Sequence, residues 1–386
     1  MIKLVTVIGA RPQFIKAAAI SRAIRKHFSK HIREVIVHTG QHYDENMAKV
    51  FFEELEIPKE KYNLGIGSGS HAAQTANMMI AIEEVVLKEN PDAMLLYGDT
   101  NSTLAACLVA IKLFIPIIHV EAGVRSYNKI YPEEVNRLIC DHFSSLLFVP
   151  SDAGMRSLQK EGFILENRTG HPVTPDNPRV FRCGDIMYDN TLFFLNKVKK
   201  ADVFRKYKIS GSSYILATMH RPSNVDKAET LENILKALAS IAEKHSRNIV
   251  LPLHPRTKQK LSEMPALHNI LSSKRIQITE PASFLDMIAF ERYADLVITD
   301  SGGVQKEAYF VRKPCLIMLD ETPWPELVES KNALLVGSDY NKICQGADHF
   351  LNGNKELQFP LLYGDGSASE FICEQIIETF DGARRS

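Results

Sequence analysis

The sequence predicts two tandem α/β domains, each built on a doubly wound parallel sheet. Short apolar runs alternate along the chain with longer stretches of helical period, the rhythm of parallel strands joined by crossover helices. The alternation breaks once, in a polar stretch rich in proline, and then resumes on the same plan. The length of 386 residues also exceeds what one core fills efficiently, since domains of roughly 100–200 residues are the norm.

In the first half, KLVTVI, EVIVH, AMLLY, PIIHV and LLFVP read as strands, each followed by a helix. Runs so uniformly apolar suit a sheet covered by helices on both faces. Residues 166–180, ENRTGHPVTPDNPRV, set Pro172, Pro175 and Pro178 among polar residues, where fixed φ angles and missing N–H groups forbid regular helix. The domain boundary is expected there, with a first domain over 1–170 and a second over 171–366. YILATMH, NIVLPLH, RIQIT, DLVIT and PCLIML continue the pattern, and SASEFICEQIIETF, with Ser ahead of an amphipathic run, predicts a terminal helix within 367–386.

Composition narrows the function classes. Lys plus Arg and Asp plus Glu number 46 each, so the basic excess that neutralises phosphates in a nucleic-acid binder is missing. The apolar fraction of 45% is ordinary, and no apolar run approaches the ~18 residues of a membrane span. The opening MIKLVTVIGARP reads as a strand entering a turn and not as a signal segment, so the expected compartment is the cytoplasm. Cys107, Cys140, Cys183, Cys315, Cys344 and Cys373 lie far apart without a C-x-x-C pair, which favours buried thiols over a zinc ribbon or a dithiol redox motif.

Open parallel sheets bind ligands at the carboxyl ends of their strands, where helix N-termini present unpaired N–H groups. After KLVTVI come Gly9-Ala10-Arg11-Pro12, with Lys16 a turn later, so that Arg11 and Lys16 can meet an anion or remain ordinary solvated cations. After EVIVH comes a polar turn with His42, a ligand contact or a helix cap. Asp99 follows AMLLY, where a helix N-cap is its plain structural role. Glu121 follows PIIHV with no helix start beside it. Glu133 lies in PEEVNR, where acids complement the helix dipole, with Arg137 one turn on. Those plain roles do not explain why Asp99, Glu121 and Glu133 share one sheet edge, an arrangement suited to proton transfer.

In the second half, His220 ends YILATMH and His254 ends NIVLPLH. DLVITD then runs into Ser301-Gly302-Gly303, a helix start whose N–H groups and small residues suit a diphosphate, with Glu307 deeper in the helix and placed for sugar hydroxyls. Gly65-Ile66-Gly67-Ser68-Gly69-Ser70 nearly matches a dinucleotide fingerprint. Its sixth position is Ser and it is not the first strand-to-helix turn, so it reads as a loop and no nicotinamide cofactor is expected. His119 and Glu121 alternate along one strand, but two ligands fall short of the three or four of an ordinary metal site. No cofactor and no metal are expected.

Taken in order, GARPQFIKAA, TGQH, GDTNST, HVEAGVRS, PEEVNRLICDH, the HR after YILATM, LHPR and TDSGGVQKEA resemble the non-hydrolysing UDP-N-acetylglucosamine 2-epimerase family. The resemblance implies the GT-B fold, two Rossmann-like domains facing across a cleft, with the C-terminal helix 367–386 joining the first domain. It implies that Asp99, Glu121, Glu133 and His220 are catalytic, that Arg11, Lys16 and Arg137 line the substrate cleft, and that His254, Ser301, Gly302, Gly303 and Glu307 serve the nucleotide side. His42 is a further substrate-side candidate. The implied reaction interconverts UDP-GlcNAc and UDP-ManNAc by loss and re-addition of UDP through a 2-acetamidoglucal, for cell-surface polysaccharide precursors, in a cytoplasmic homodimer.

The chain departs from the family on the substrate side. The segment after Arg125 is a short SYNKIYP, His220-Arg221 continues as Pro222-Ser223 where HRRE is frequent, and Trp324 stands in ETPWPE where arginine is expected. These departures resemble the branch acting on modified sugars, such as UDP-2,3-diacetamido-2,3-dideoxyglucuronate or UDP-N-acetyl-fucosamine precursors. A GT-B glycosyltransferase is the rival class, since fold alone does not separate the two.

Overall fold

The structure is a computed structural model that describes residues 1–40, 54–167, 172–209, 213–253, 255–264, 267–271, 273–352 and 357–383. The chain divides into two compact units, Met1–Asn190 with Leu361–Ser386, and Thr191–Pro360. The division falls at Asn190/Thr191, whereas the proline-based reading sets it at 170/171, because Arg179–Arg182 adds a further strand to the first sheet.

In the first unit β1 (Ile2–Ile8), β2 (Ile32–His38), β3 (Tyr62–Asn63), β4 (Ala93–Tyr97), β5 (Ile117–Val120), β6 (Leu146–Val149) and β7 (Arg179–Arg182) form one parallel sheet in the order β3-β2-β1-β4-β5-β6-β7. Its helices are α1 (Arg11–Ala23), α2 (His71–Glu89), α3 (Asn101–Lys112), α4 (Pro132–Phe143), α5 (Asp152–Lys160) and α6 (Ile186–Leu195), the last running across the division. β4 and β5 are buried along their whole length, as strands covered on both faces must be. On one face Val5, Val7, Val37, Met94 and Leu96 pack with Met78, Ile82 and Cys107 of the covering helices.

Helix starts follow local chemistry. Ser70 caps α2 by accepting from the Ala73 N–H, and Thr100 caps α3 by accepting from the Thr103 N–H. At α1 the Gln13 side-chain Oε1 accepts from the N–H groups of Gly9 and Ala10, at 2.8 and 3.0 Å. Glycine is obligatory at position 9, since a Cβ there would lie 2.1 Å from Ser102 Oγ and 2.3 Å from Thr39 Oγ1.

The second unit carries α7 (Lys200–Lys206), β8 (Tyr214–Thr218), α8 (Pro222–Val225), α9 (Ala228–Lys244), β9 (Asn248–Pro252), α10 (Pro255–Ser262), α11 (His268–Leu271), β10 (Ile276–Thr279) and α12 (Phe284–Tyr293). It continues through β11 (Leu296–Thr299), α13 (Gly302–Phe310), β12 (Cys315–Ile317), α14 (Pro325–Glu329), β13 (Ala333–Leu335) and α15 (Tyr340–Leu351). Its parallel sheet has the order β10-β9-β8-β11-β12-β13. Ile215, Leu251 and Ile298 pack with Leu231, Ile234 and Leu238 of α9.

The chain ends in α16 (Ala368–Ala383), grouped with the first unit, where it packs on α1 and β1 and buries Ile372, Cys373 and Ile376. The six cysteines are free thiols, four of them buried. Among the described residues, no helix is long and apolar enough to cross a membrane.

Both sheets reverse winding direction beside their first strand, between β1 and β4 in one unit and between β8 and β11 in the other. Such a switch point opens a crevice outside the strand ends, which is where ligands bind in open α/β sheets. The helix after β1 carries Arg11 and Lys16, the turn after β4 carries Asp99, and the turns after β8 and β11 carry His220 and Ser301.

Candidate active site

Asp99 stands in the turn after β4 and does not cap α3, because Thr100 takes that position. Its carboxylate instead accepts from the Arg137 guanidinium, which also donates to Glu134 Oε2 at 3.0 Å. Burial works against the Arg137 charge, but Asp99, Glu134 and Glu121 raise its pKa above the usual value. Asn136 Nδ2 donates to the Asp99 carbonyl at 2.8 Å, so α4 holds both ends of this residue.

Glu121 lies beyond β5 with φ of 72°. A side chain in the left-handed region costs of order 1–3 kcal/mol, and such outliers gather at functional sites. The conformation is held because the N–H groups of Glu121 and Ala122 both donate to the Phe148 carbonyl, at 3.1 and 3.0 Å. It directs the carboxylate to Lys16, whose Nζ lies 2.5 Å from Oε1. Lys16 is thus buried and paired with a carboxylate of the protein, not solvated at the surface.

The adjacent acids of PEEVNR separate, since consecutive helical residues point about 100° apart. Glu133 is exposed on the first turn of α4. Glu134 is buried and accepts from the N–H groups of Ser126 and Tyr127, at 2.9 and 2.8 Å, pinning the short SYNKIYP segment. Its carboxyl is held below the usual range: burial opposes this, but the two N–H donors and Arg137 prevail. In the sequence Glu134 reads, with Glu133, as a first-turn acid that complements the helix dipole, although two acids on successive helical positions imply that only one can turn inward.

His119 is fully buried, with Nδ1 2.7 Å from Asp141 Oδ1 and Nε2 2.8 Å from the Gly98 carbonyl. Both ring nitrogens are engaged, so neither offers a metal a lone pair, and pairing His119 with Glu121 as ligands is ruled out. Asp141 also accepts from the Gly123 N–H at 2.9 Å and faces Arg125 at 2.7 Å. Burial pushes the Asp141 carboxyl up, but His119, Arg125 and the Gly123 N–H bring it below the ordinary value.

In the second unit His220 Nδ1 lies 2.9 Å from Asp300 Oδ1. Asp300 is buried and further accepts from the N–H groups of His220 and Arg221 and from Asn224 Nδ2. Burial opposes its charge, yet these donors keep its carboxyl below the usual range. A carboxylate on Nδ1 fixes the orientation of the ring. In the sequence Asp300 is the last letter of DLVITD and reads only as the lead into Ser301.

Ser301 precedes α13 without a side-chain capping bond, so the first N–H groups of the helix are not covered from its own N-cap. Among the described residues, a Cβ at Gly302 would meet only Trp324 Nε1 at 3.8 Å, and one at Gly303 only Ser301 Oγ at 3.9 Å. Packing within the unit therefore does not require either glycine. Trp324 Nε1 donates to the Gly302 carbonyl at 3.0 Å, and Lys306 Nζ lies 3.8 Å from the centroid of the Trp324 ring. A cation thus stands at this loop even though the expected arginine is absent. Glu307 is half-buried on α13 and hydrogen-bonds the carboxyl of Glu291 on α12. Arg11 opens α1, half-buried. His42 and His254 lie outside the described residues.

Asp99, Glu121, Lys16 and Arg137 are therefore gathered within one unit, and His220 shares Asp300 with the start of the Ser301 turn in the other. The two parallel α/β sheets are those of an enzyme of the GT-B class. The model of the UDP-N-acetylglucosamine 2-epimerase family matches residues 23–377. A UDP-N-acetylglucosamine 2-epimerase homolog of Methanococcus maripaludis is 44% identical over 96% of this chain and 98% of its own. The UDP-2,3-diacetamido-2,3-dideoxy-D-glucuronate 2-epimerase of Pseudomonas aeruginosa is 42% identical over 97% of this chain and 99% of its own. The crystal structure of Methanocaldococcus jannaschii UDP-GlcNAc 2-epimerase with UDP-GlcNAc and UDP aligns at a TM-score of 0.84, with 40% identity over 97% of this chain and 99% of that one. The chain belongs to the UDP-N-acetylglucosamine 2-epimerase family, and its activity class is that of an isomerase.

Proposed function

We propose that the protein inverts C2 of a UDP-N-acetylhexosamine, interconverting UDP-GlcNAc and UDP-ManNAc. The observation that carries this reading is the pair of carboxylates, Asp99 and Glu121, brought to one sheet edge and each given a fixed cation. The C2 proton is not next to a carbonyl, so direct deprotonation is not available. The C1–O bond breaks first, with its electron pair leaving on the UDP oxygen. A base then takes the C2 proton, and the C2–H electrons form the C1=C2 bond of a 2-acetamidoglucal. Return of a proton to the opposite face of C2 and of the UDP oxygen to C1 restores the balance.

Asp99, Glu121, Glu133 and His220 are the acid–base candidates for the two faces of C2. The N-terminus of α13, Ser301, Gly302 and Gly303 are proposed to stabilise the departing diphosphate, supported by a glycine pair that the unit's own packing does not need. Arg11, Lys16, His42, Arg137, His254 and Glu307 are proposed on the substrate and nucleotide sides. The product is expected to feed polysaccharide precursor synthesis in the cytoplasm. A homodimer is proposed on the strength of Ile80, Leu87 and Phe114, large apolar side chains left exposed on and beside the helices of the first unit.

Incubation with UDP-GlcNAc in deuterated water tests the reaction. Deuterium at C2 of both epimers supports it; label-free sugar with a demand for an acceptor would sink it in favour of a glycosyltransferase. A second reading, epimerisation of a modified UDP-sugar bearing a carboxylate, is favoured by Lys306 held over Trp324, a buried cation where the family pattern differs. A panel of UDP-sugars separates the two by their kcat/KM ratios.

A further inference from the structure

The imidazole of His119 is enclosed with no exposed surface and touches two oxygen acceptors, the Asp141 carboxylate and the Gly98 carbonyl. Neither oxygen has a hydrogen to give. Both contacts are hydrogen bonds only when both ring nitrogens carry protons, which makes the ring an imidazolium. The charges around it balance: Arg125 lies 2.7 Å from Asp141 Oδ2 and forks onto Glu161 at 2.7 and 2.8 Å, giving two cations for two carboxylates.

We propose that His119, held as an imidazolium, and its partner Asp141 are positioning residues for the epimerase reaction, bracing from beneath the two turns that carry Asp99 and Glu121. This rests on the reading of those two acids as the proton-transfer groups. The turn of Asp99 is tied down at Gly98, whose carbonyl accepts from His119 and whose N–H donates to the Val120 carbonyl at 3.0 Å. The turn of Glu121 is tied down at Gly123, whose N–H donates to Asp141 Oδ2. One ion pair therefore reaches both turns, and through them it sets the spacing between two carboxylates that belong to different strands. Both side chains are wholly enclosed, so they act through the turns and not on the sugar.

The charge state is read directly in the wild-type protein labelled with 15N at histidine. Two slowly exchanging N–H protons on the His119 ring, with both nitrogens at imidazolium shifts, are expected; one unprotonated nitrogen overturns the assignment. This readout is independent of whether any UDP-sugar turns over. For positioning, His119→Asn keeps a donor near Asp141 and releases Gly98, while His119→Gln reaches Gly98 and releases Asp141. Each is expected to lower kcat for C2 inversion roughly 10- to 100-fold, the size of effect that misplacement by about 1 Å produces, with the dissociation constant for UDP unchanged. Unchanged kcat in both variants overturns the proposal, as does an equal loss of UDP binding. Asp141→Asn, which retains the Gly123 contact, is expected to follow the same split.

Discussion

Nζ of Lys16 sits 2.5 Å from Oε1 of Glu121, and the approach is possible because residue 98 has no side chain. A Cβ on Gly98 would lie 3.0 Å from that Nζ and 3.5 Å from that Oε1, on a backbone with φ of 62°. Gly98→Ala is therefore expected to strain the turn by about 1–2 kcal/mol and to push the ion pair apart. Thermal unfolding should fall by a few degrees, and turnover should fall at least tenfold. Turnover at the wild-type level would show that the pair tolerates displacement.

Glu121→Gln keeps the shape and an oxygen for Lys16 but no longer accepts a proton. Loss of one general acid–base group removes about 10²–10⁴-fold in rate. The expected result is a fall of that size in both epimerisation and deuterium wash-in at C2, with the melting temperature close to wild type. Wild-type wash-in by this variant would place the chemistry elsewhere.

Behind Glu307 stands Glu291, fully buried, and no N–H or hydroxyl donor among the described residues reaches its carboxyl oxygens. Burial first, and then the Glu307 charge and hydrogen bond, push its carboxyl well above the ordinary value. Other groups that feel it are Tyr214 on β8 and Cys315 on β12, while on α12 itself Asp286 is taken up by Lys206 at the end of α7 and by Tyr207 just beyond it. The folded protein keeps this proton after the unfolded chain has lost it. Stability thus falls with rising pH by up to about 1.4 kcal/mol per pH unit, from the usual carboxylate value up to the raised one. Glu291→Gln should remove that slope, so that urea unfolding finds the variant the more stable protein at pH 8 and the advantage gone near pH 4. Parallel pH profiles for the two proteins would contradict the acid pair.

Asp189 accepts from the N–H groups of Ala368 and Ser369, at 3.3 and 2.7 Å, and so holds the start of α16. Burial, only partly offset by these donors, lifts its carboxyl from 3.8 to about 6. As pH falls from 6 towards 3.8 the folded protein takes up a proton before the unfolded chain does. The group then adds stability, about 3 kcal/mol over the whole window. Asp189→Asn should flatten this component in urea titrations between pH 4 and 7. Asp189→Ala, lacking any acceptor, should speed amide exchange at Ile372 and Ile376.

What was legible in the sequence follows from burial. β1, β4 and β5 announce themselves because strands covered on both faces are predominantly apolar. β7 does not, since RVFR is only partly buried and lies just beyond the prolines taken as a boundary. Asp99, Glu121 and Arg137 were found because they follow strand ends or the helix start between them. Their relationships were not, because the left-handed φ of Glu121, the inward turn of Glu134 and the double engagement of His119 depend on residues distant in sequence. Lys16 illustrates the limit: its position points to an anion, but the turn after β5, two strands away from β1, supplies that anion as Glu121.

The first unit is made from both ends of the chain, Met1–Asn190 and Leu361–Ser386, while the second is continuous from Thr191 to Pro360. On a ribosome, which releases the chain from its N-terminus, the later unit is complete while the earlier one still lacks α16. Until α16 emerges, the part of α1 on which it packs is left without that cover, and Ile372, Cys373 and Ile376 are not yet buried. A nascent chain of this protein therefore has every residue of its second unit before it has every residue of its first, and a deletion that removes Ala368–Ala383 damages the unit that begins at Met1.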